Sequence, residues 1–350
     1  MMRVPVAAAV LLVPVFLSGA SAAAPDSGQA PPLQCGGKNL VDEAQRTNPG
    51  VYQTILDKTN AIPNAEGLLW KVEKRGEAPS YLFGTMHSSD ARAIAIAQSM
   101  AQYLKGIPTL VTELGGTGGP ESMAAVKAKM AERVAANRVE TAALIDSPQD
   151  RALVGDLLKG RGVEPASALR MPPWLLMSFL EEPPCEIARE RLELPAVDQV
   201  IEEIGTRLGA RLVGLETLDE QLDALQSIDP KLAARMIIVE AKQKNFADDM
   251  LATMLALYTE QRVGELFAAP ETLIDLAPQD IEADRVYTSG FIEKRNVAME
   301  QRIRPLMAAG PVFIAVGAMH LIGAGGLVEL FRREGFTVTR VDTSAGTGAD

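Results

Sequence analysis

The fold class is decided near the end of the chain, where residues 312–341 read VFIAVGAMHLIGAGGLVELFRREGFTVTRV. The continuous apolar run at 312–316 is typical of a strand that is buried on both faces of a sheet. A glycine-rich loop follows, and the apolar residues around 327–333 then predict a helix that ends at Gly335. A second strand at 336–341 completes a β-α-β unit, which indicates an α/β protein.

The same alternation of strands and helices recurs earlier in the chain. Ile96, Met100 and Leu104 lie at helical spacing and predict one helix. A second helix is indicated by the apolar stripe that begins at Val197 and ends before Gly209. Strands are predicted from four short apolar runs, at residues 68–72, 81–83, 109–112 and 211–215.

Two long stretches between these elements are helical in composition, at about residues 120–195 and 218–307. We therefore predict an α/β fold with a central, mostly parallel or mixed β-sheet that is flanked by helices. A large helical insertion separates its strand-rich N- and C-terminal parts. One domain is expected over residues 23–342, and a disordered tail over residues 343–350.

Residues 1–22 have the pattern of a secretory signal peptide. Arg3 precedes an apolar run at 4–17, and the small residues Ala20 and Ala22 fit a cleavage site. The apolar run is shorter than the ~20 residues that a membrane-spanning helix needs. No later stretch is long and apolar enough to span a bilayer. We expect the mature chain to be soluble and either periplasmic or secreted.

The chain has two cysteines, Cys35 and Cys185. An even number of cysteines in an exported protein favours a disulfide bond between them. The alternative is two unrelated thiols, with Cys185 belonging only to the turn after the proline pair at 183–184.

Charge and composition exclude several classes of protein. The 350 residues carry a formal net charge of −11, which argues against a nucleic-acid partner because phosphate binding needs clustered lysine and arginine. With only two histidines and two cysteines, zinc-finger arrays, c-type haem strings and disulfide-rich scaffolds are excluded. A peptide or a small molecule is the expected substrate, and the sequence carries no signal of oligomeric state.

Both histidines of the chain occur in the same local setting. His87 lies in Gly-Thr-Met-His after the apolar run at 81–83, and His320 lies in Gly-Ala-Met-His after the run at 312–316. In a mostly parallel sheet, the loops that leave the carboxyl ends of strands share one edge, where ligands bind. The two imidazoles are therefore expected to lie in one cleft, although a lone histidine is more often a hydrogen-bonded structural residue.

Two carboxylates follow strands in the same way. Glu113 ends the strand at 109–112, and Glu216 ends the strand at 211–215. Imidazole and carboxylate are the usual ligands of divalent zinc, manganese or cobalt in sites without thiolates. We predict that His87, His320 and Glu113 bind such an ion, and that a glutamate takes a proton from metal-bound water. The alternative is a pair of surface charges at strand ends.

Arg295 is a further candidate. It lies between Ile292 and Met299 at helical spacing and is predicted to face the apolar side of its helix, although Pro305 can end or kink that helix. A buried guanidinium needs an anionic partner. Arg295 either pairs structurally with an acidic residue, or orients a site carboxylate or a substrate oxyanion.

Together these motifs resemble those of the TraB/GumN family, which includes the TIKI metalloproteases that cleave the N-termini of Wnt proteins. The matching segments cover most of the mature chain and are YLFGTMHSSD at 81–90, VTELG at 111–115, Pro173-Trp174, VDQVIEEIGTRLGARLVGLETLDEQL at 197–222, Arg295-Asn296 and FIAVGAMHLIGAGGLVELFRREGFTV at 313–338.

The resemblance implies an α/β core with a helical insertion, since the family is similar to the erythromycin-esterase and ChaN-like fold group. It implies that His87 and His320 are the motif histidines, that Glu113 and Glu216 occupy the acidic positions, and that Arg295 matches the Arg-Asn pair. A glycine often precedes the aspartate near 198 in the family. This chain departs from that pattern, so the role of Asp198 stays open.

The expected function is an exported metal-dependent hydrolase, acting as a peptidase or amidase, with Glu113, Glu216 and Arg295 as catalytic residues. One alternative is a protein that binds haem, metal or peptide without turnover, as the resemblance to ChaN permits. Another is an esterase that uses histidine and glutamate without a metal.

Overall fold

A computed structural model of the protein describes residues 34–116, 120–274 and 277–343. Within these ranges the protein has a mixed six-stranded sheet, with the strands in the order β4-β3-β5-β2-β1-β6. The strands are β1 (Leu69–Glu73), β2 (Ser80–Thr85), β3 (Thr109–Thr112), β4 (Arg211–Gly214), β5 (Val312–Gly317) and β6 (Thr337–Val341). The predicted α/β class with a mixed central sheet is confirmed.

Helices flank this sheet and fill the two long stretches between its strands. They are α1 (Leu40–Thr47), α2 (Pro49–Asn60), α3 (Ala91–Ser99), α4 (Ala101–Leu104), α5 (Pro120–Ala136), α6 (Pro148–Gly160), α7 (Pro165–Ala168), α8 (Pro173–Glu181), α9 (Pro184–Arg191), α10 (Val197–Arg207), α11 (Leu218–Gln226), α12 (Pro230–Lys242), α13 (Phe246–Thr259), α14 (Val263–Leu273), α15 (Pro278–Thr288), α16 (Lys294–Ala309) and α17 (Leu327–Arg333). Short 3-10 turns cover Thr141–Leu144 and Ala318–His320, and a π-helical segment covers Ser289–Glu293.

Four neighbouring strands, β4, β3, β5 and β2, run parallel to one another. Their carboxyl ends are aligned, since Thr85 pairs with Gly317 and Thr112 pairs with Gly214. Strand β5 lies at the centre, and its apolar run is almost completely buried, as expected for a strand covered on both faces. The aligned ends create one sheet edge to which four different loops contribute.

The two strands of the last β-α-β unit, β5 and β6, are not neighbours in the sheet. Strand β6 does not lie beside β5 but pairs antiparallel with β1, with Leu69 opposite Val341. Because β1 is also antiparallel to β2, β6 runs in the same direction as β5 with two strands between them. Helix α17 crosses those two strands, and its buried side chains Leu327, Val328 and Phe331 join the core around the sheet.

The predicted helical insertion has an apolar core of its own. Helix α8 buries most of its side chains, including Trp174 and Leu176, and packs against α12. The α12 residues Leu232 and Ile237 are fully buried in the same cluster. The sheet and the helical insertion therefore each bury a continuous apolar cluster.

A disulfide bond joins Cys35 to Cys185, as predicted. It connects the segment before α1 to the first turn of α9, across a sequence separation of 150 residues. Chain-entropy models give a loop of this length about 5 kcal/mol of stabilisation.

Two sequence predictions concern segments outside the described residues. These are the signal peptide at 1–22 and positions 344–350 of the tail. Over the described ranges, no helix has both the length and the apolar character needed to cross a bilayer.

Several buried carboxyl groups in the helical insertion have raised pKa values. Burial, and then the carboxylate of Glu190, raise the pKa of Glu182 to about 9. Burial, with Glu240 and Asp284 nearby, raises the pKa of Glu181 to about 8. Burial also raises the pKa of Glu240 to about 7, although Arg161 opposes the change, and that of Asp284 to about 7.

These pKa values predict that alkaline pH destabilises the protein. An acid whose pKa is raised by folding stabilises the fold below its unfolded pKa near 4.5, and the contribution is lost as the pH rises through the folded pKa. We expect the midpoint of thermal unfolding to fall by about 5 °C between pH 6 and pH 9. Glu182→Gln should make this fall smaller, whereas Glu203→Gln, at an exposed helical position, should not. A midpoint that rises or stays level over this range would contradict the prediction.

Candidate active site

The four predicted strand-end residues lie at the edge formed by the parallel strands. His87 follows β2, Glu113 follows β3, Glu216 follows β4 and His320 follows β5. Glu113, Glu216 and His320 are buried, and 23% of the His87 side chain is exposed. Arg295, in the first turn of α16, reaches the same edge.

The glycines of the two histidine motifs are explained by close packing. A Cβ atom at Gly84 would lie 2.9 Å from the Cα atom of Ala318, so the first motif packs directly against the turn that carries His320. In the second motif, the backbone N–H of Gly317 donates to Glu113 Oε1 at 2.8 Å. A Cβ at Gly317 would lie 3.3 Å from the same oxygen. Both positions therefore lack room for a side chain.

We expect Gly84→Ala to destabilise the protein by roughly 1–3 kcal/mol, because the new methyl group meets backbone that must move. The measurement is the free energy of unfolding in denaturant. Gly155→Ala is the matched control, since a Cβ there meets no atom within 4 Å and a helical glycine is replaced. That control should be stabilising by about 0.5–1 kcal/mol. Equal stability of Gly84→Ala and the wild type would show that the two motifs are not tightly packed.

Arg295 joins the two site glutamates. Its Nε donates to Glu216 Oε1 at 2.8 Å, and its Nη2 donates to Glu216 Oε2 at 2.6 Å and to Glu113 Oε2 at 2.8 Å. The amide of Gln221 also donates to both carboxylates, at 3.1 Å to Glu113 and 3.3 Å to Glu216. Arg295 therefore both pairs with acidic residues and orients the site carboxylates, because its acidic partners are those carboxylates.

The backbone before Arg295 is unusual. Residues Ser289–Glu293 form a π-helical turn, a feature that is frequent at functional sites. It places the Phe291 ring 5.0 Å from the guanidinium carbon of Arg295. Burial lowers the pKa of Arg295, but Glu113 and Glu216 outweigh it and keep the pKa above its usual value. Helix α16 continues past Pro305 to Ala309, so the proline does not end it.

His320 is buried and held by Asn296. Its Nδ1 lies 2.5 Å from Asn296 Oδ1, while Asn296 Nδ2 donates to the carbonyl oxygen of Gly325 at 2.9 Å. Since the asparagine oxygen can only accept, His320 carries its proton on Nδ1, and the lone pair of Nε2 is free. Nε2 lies 3.7 Å from Glu113 Oε1. Burial and Arg295 lower the pKa of His320 to about 3, so it is neutral at pH 7.

His87 has a different environment. Its Nδ1 lies 2.6 Å from Asp198 Oδ2, and the hydroxyl of Thr85 donates to Asp198 Oδ1 at 2.7 Å. Burial lowers the pKa of His87, but the Asp198 carboxylate outweighs it and raises the pKa to about 9. At pH 7 His320 is therefore neutral, whereas His87 is protonated. Such a separation of pKa values is how neighbouring groups take acid and base roles.

Glu113 is ionised. Burial raises its pKa, but Arg295, the two histidines and the Gly317 N–H together lower it to about 2. The site therefore contains a carboxylate that stays charged across the physiological range, beside a neutral imidazole with a free nitrogen.

Sequence reasoning missed three polar residues at this edge. The sequence motifs assign no role to Asp198, place Asn296 only in an Arg-Asn pair and do not indicate Gln221. Asn296 is fully buried within α16, and an asparagine directly after a buried arginine is the signal that could have indicated it. The Thr85 partner of Asp198 and the Glu113 partner of Gln221 each lie more than 100 residues away along the chain.

Two of the three predicted ligands, His320 and Glu113, are suitably placed to bind a divalent metal ion. His320 Nε2 is buried without a hydrogen-bond partner, and the 3.7 Å between it and Glu113 Oε1 allows one ion to contact both at ~2.0–2.2 Å. The third predicted ligand, His87, does not lie close enough to His320 and Glu113 to form a three-residue metal site with them. Among the described residues, no three His, Cys, Asp or Glu side chains lie together at metal-binding spacing.

Comparison with known proteins identifies the family of the chain. Searches among curated proteins and among solved structures found no match to this chain. The model of the TraB/PrgY/gumN family matches residues 68–340. The match extends from β1 to β6 and includes both histidine motifs and Arg295, while Cys35 lies outside it. The chain therefore belongs to the TraB/PrgY/gumN family.

Proposed function

We propose that the protein is a metal-dependent hydrolase that cleaves peptide or amide bonds. The observation that carries this proposal is the orientation of the two motif histidines at one sheet edge. Each has an oxygen acceptor at Nδ1, which leaves Nε2 for the reacting groups. In metal sites, such Nδ1 contacts fix the tautomer and the direction of a ligating imidazole.

The ligands would be His320, Glu113 and His87. Their chemistry fits a divalent manganese, cobalt or zinc ion, which when bound lowers the pKa of water and supplies a nucleophile near neutral pH. Because the three side chains do not form a metal-binding group without an ion, we expect His87 to approach the other two when an ion binds.

The residues of the chain have distinct roles in this proposal. Glu113 is an ionised carboxylate beside the lone pair of His320 and can accept a proton from an attacking water. The Asp198 carboxylate lies against Nδ1 of His87 and leaves Nε2 as the nitrogen that can bind the ion. Glu216 fixes the position of Arg295 by a hydrogen bond, and Gln221 fixes the position of Glu113 in the same way.

Arg295 is the candidate for stabilising negative charge on the substrate. Its Nη1 is buried and has no hydrogen-bond partner among the described residues, whereas its Nε and Nη2 are both used. A desolvated N–H donor near the developing oxyanion of a tetrahedral intermediate lowers the barrier.

We also propose that the protein acts in the periplasm or outside the cell. The signal-like segment at 1–22 supports this location, and so does the Cys35–Cys185 disulfide, since such bonds form and persist in oxidising compartments. The substrate would be a peptide or a small amide.

The test is cleavage of peptide libraries by the purified protein with added manganese or cobalt, read by mass spectrometry. His87→Ala and His320→Ala should both abolish cleavage, and a chelator should abolish it in the wild type. Exposed variants such as Glu203→Gln should cleave normally. Equal cleavage by both histidine variants and the wild type would refute the proposed site.

A second candidate is metal-independent hydrolysis. It is favoured by Arg295, which already pairs with both glutamates, and by the His87–Asp198 pair, which resembles the orienting pair of general acid–base catalysis. Cleavage that survives the chelator but not the histidine variants would support it. Absence of cleavage together with a Soret band on haem titration would instead favour a binding protein.

A further inference from the structure

The loop that carries His87 is held by a glutamate from the helical insertion. Glu186 lies in the first turn of α9, with only 3% of its surface exposed. Its Oε1 accepts from the Ser88 hydroxyl at 2.7 Å, and its Oε2 accepts from the Ser89 hydroxyl at 2.9 Å and from the Ser89 N–H at 3.3 Å. One carboxylate thus binds both residues that directly follow His87.

The same helix supports the end of this loop. Arg189, one turn after Glu186, donates to Glu186 Oε1 at 2.8 Å and lies 3.6 Å from Asp90 Oδ2. Asp90 is the N-cap of α3 and accepts from the backbone N–H of Arg92. Helix α9 therefore holds the last three residues of the turn between β2 and α3, which are Ser88, Ser89 and Asp90.

The disulfide ties α9 to the rest of the protein. Cys185 directly precedes Glu186, and Cys35 belongs to a segment that is fixed on α13. In that segment, the Lys38 N–H donates to Asp249 Oδ1 at 2.9 Å and the Leu40 N–H donates to Thr253 Oγ1 at 2.9 Å. The position of Glu186 is thus set by a covalent bond and not by the packing of an eight-residue helix alone.

We propose that Glu186 is a positioning residue for His87, and that the Cys35–Cys185 disulfide holds Glu186 in place. The role of His87 itself rests on the proposed function, but the coupling does not. Without Glu186, the buried Ser88 hydroxyl loses its acceptor and Arg189 loses its nearer carboxylate. The loop that carries His87 and places it against Asp198 is then held by fewer hydrogen bonds.

The other side of the site provides a matched control. Glu202 in α10 is also buried, and its Oε1 accepts from the Thr112 hydroxyl at 2.9 Å and from the Gly116 N–H at 3.0 Å. It supports the loop of Glu113 in the way that Glu186 supports the loop of His87. A substitution at Glu202 should therefore affect the surroundings of His320, which faces Glu113, more than those of His87.

The test uses the fact that the chain has only two histidines. The Cε1–Hε1 region of imidazole C–H correlation spectra at pH 7 contains one signal for each histidine, assigned with His87→Gln and His320→Gln. The spectra to compare are those of the wild type, Glu186→Ala, the double variant Cys35→Ser/Cys185→Ser and the control Glu202→Gln. We expect the first two variants to shift or broaden the His87 signal by more than its line width, with His320 unchanged.

Peptide cleavage gives a second readout if turnover is detected. Loss of a group that orients a ligating histidine typically lowers activity by roughly 10–100-fold, which is the loss expected for Glu186→Ala and for the double cysteine variant. Ser89→Ala removes a single hydroxyl that donates to Glu186, and gives a smaller His87 shift without removing the buried charge.

The proposal is overturned if the His87 signal is unchanged in folded Glu186→Ala and in Ser89→Ala, or if both histidine signals move equally. If Glu186→Ala does not fold, Ser89→Ala and the double cysteine variant decide in the same way. The spectra do not require turnover. A failed hydrolase test with a shifted His87 signal would therefore leave the positioning role intact, and cleavage with an unchanged His87 signal would refute the positioning role alone.

Discussion

Replacing Arg295 by methionine is expected to destabilise the protein by about 3–5 kcal/mol, which is a large part of the stability of an ordinary domain. The guanidinium is buried between Glu113 and Glu216 and makes three hydrogen bonds to them. Its loss leaves two carboxylates out of contact with water and without their cationic partner. The cost is read from the free energy of unfolding in denaturant at pH 7.

Two controls separate this effect from the loss of a side chain. The triple variant Glu113→Gln/Glu216→Gln/Arg295→Met removes all three charges and should recover most of the lost stability, since replacing a whole buried ion group is often neutral. Arg285→Met removes an exposed arginine that pairs with Glu282 within one helix, and should cost less than about 1 kcal/mol. A loss at Arg295 no larger than that at Arg285 would show that the buried network does not stabilise the fold.

Asp198→Asn is expected to lower the pKa of His87 from about 9 to below 6.5. Burial alone lowers the pKa of this imidazole, and the Asp198 carboxylate is the main opposing influence. The substitution keeps the shape of the side chain and removes the charge, so the folded protein would lose a positive charge at neutral pH. The pKa is measured from the pH dependence of the two imidazole signals.

Thr85→Val is the control for Asp198→Asn. It removes the hydroxyl that donates to Asp198 Oδ1 but leaves the carboxylate, so His87 should still titrate well above 6.5. Loss of the carboxylate that orients His87 should lower turnover by roughly 10–100-fold, the usual effect of removing the partner of a ligating histidine. A wild-type His87 that titrates near 6.5, or an unchanged pKa in Asp198→Asn, would contradict the assignment.

The strand ends were predictable because their signals are local. The apolar runs before His87, Glu113, Glu216 and His320 each predict a strand, and a parallel arrangement brings strand ends to one edge. The burial of Arg295 followed from its helical spacing between two apolar residues.

The contacts of these residues were not predictable in the same way. A helical pattern does not show that Asp198, in α10, reaches His87, or that Asn296 accepts from His320 and not from another donor. Glu186 and Ser88 are 98 positions apart and meet only because the helical insertion packs against the sheet edge. Strand β6 also pairs with a distant segment, since its partner β1 lies at the other end of the matched region.

We propose that both motif histidines and Glu113 bind one divalent ion. The most direct measurement is a zinc titration of the metal-free protein, followed by the two imidazole signals. We predict that both signals move together and stop moving at one equivalent of zinc, and that Glu113→Gln weakens binding by roughly 10–100-fold. Movement of one histidine signal alone, or of neither signal at several equivalents, would contradict the claim.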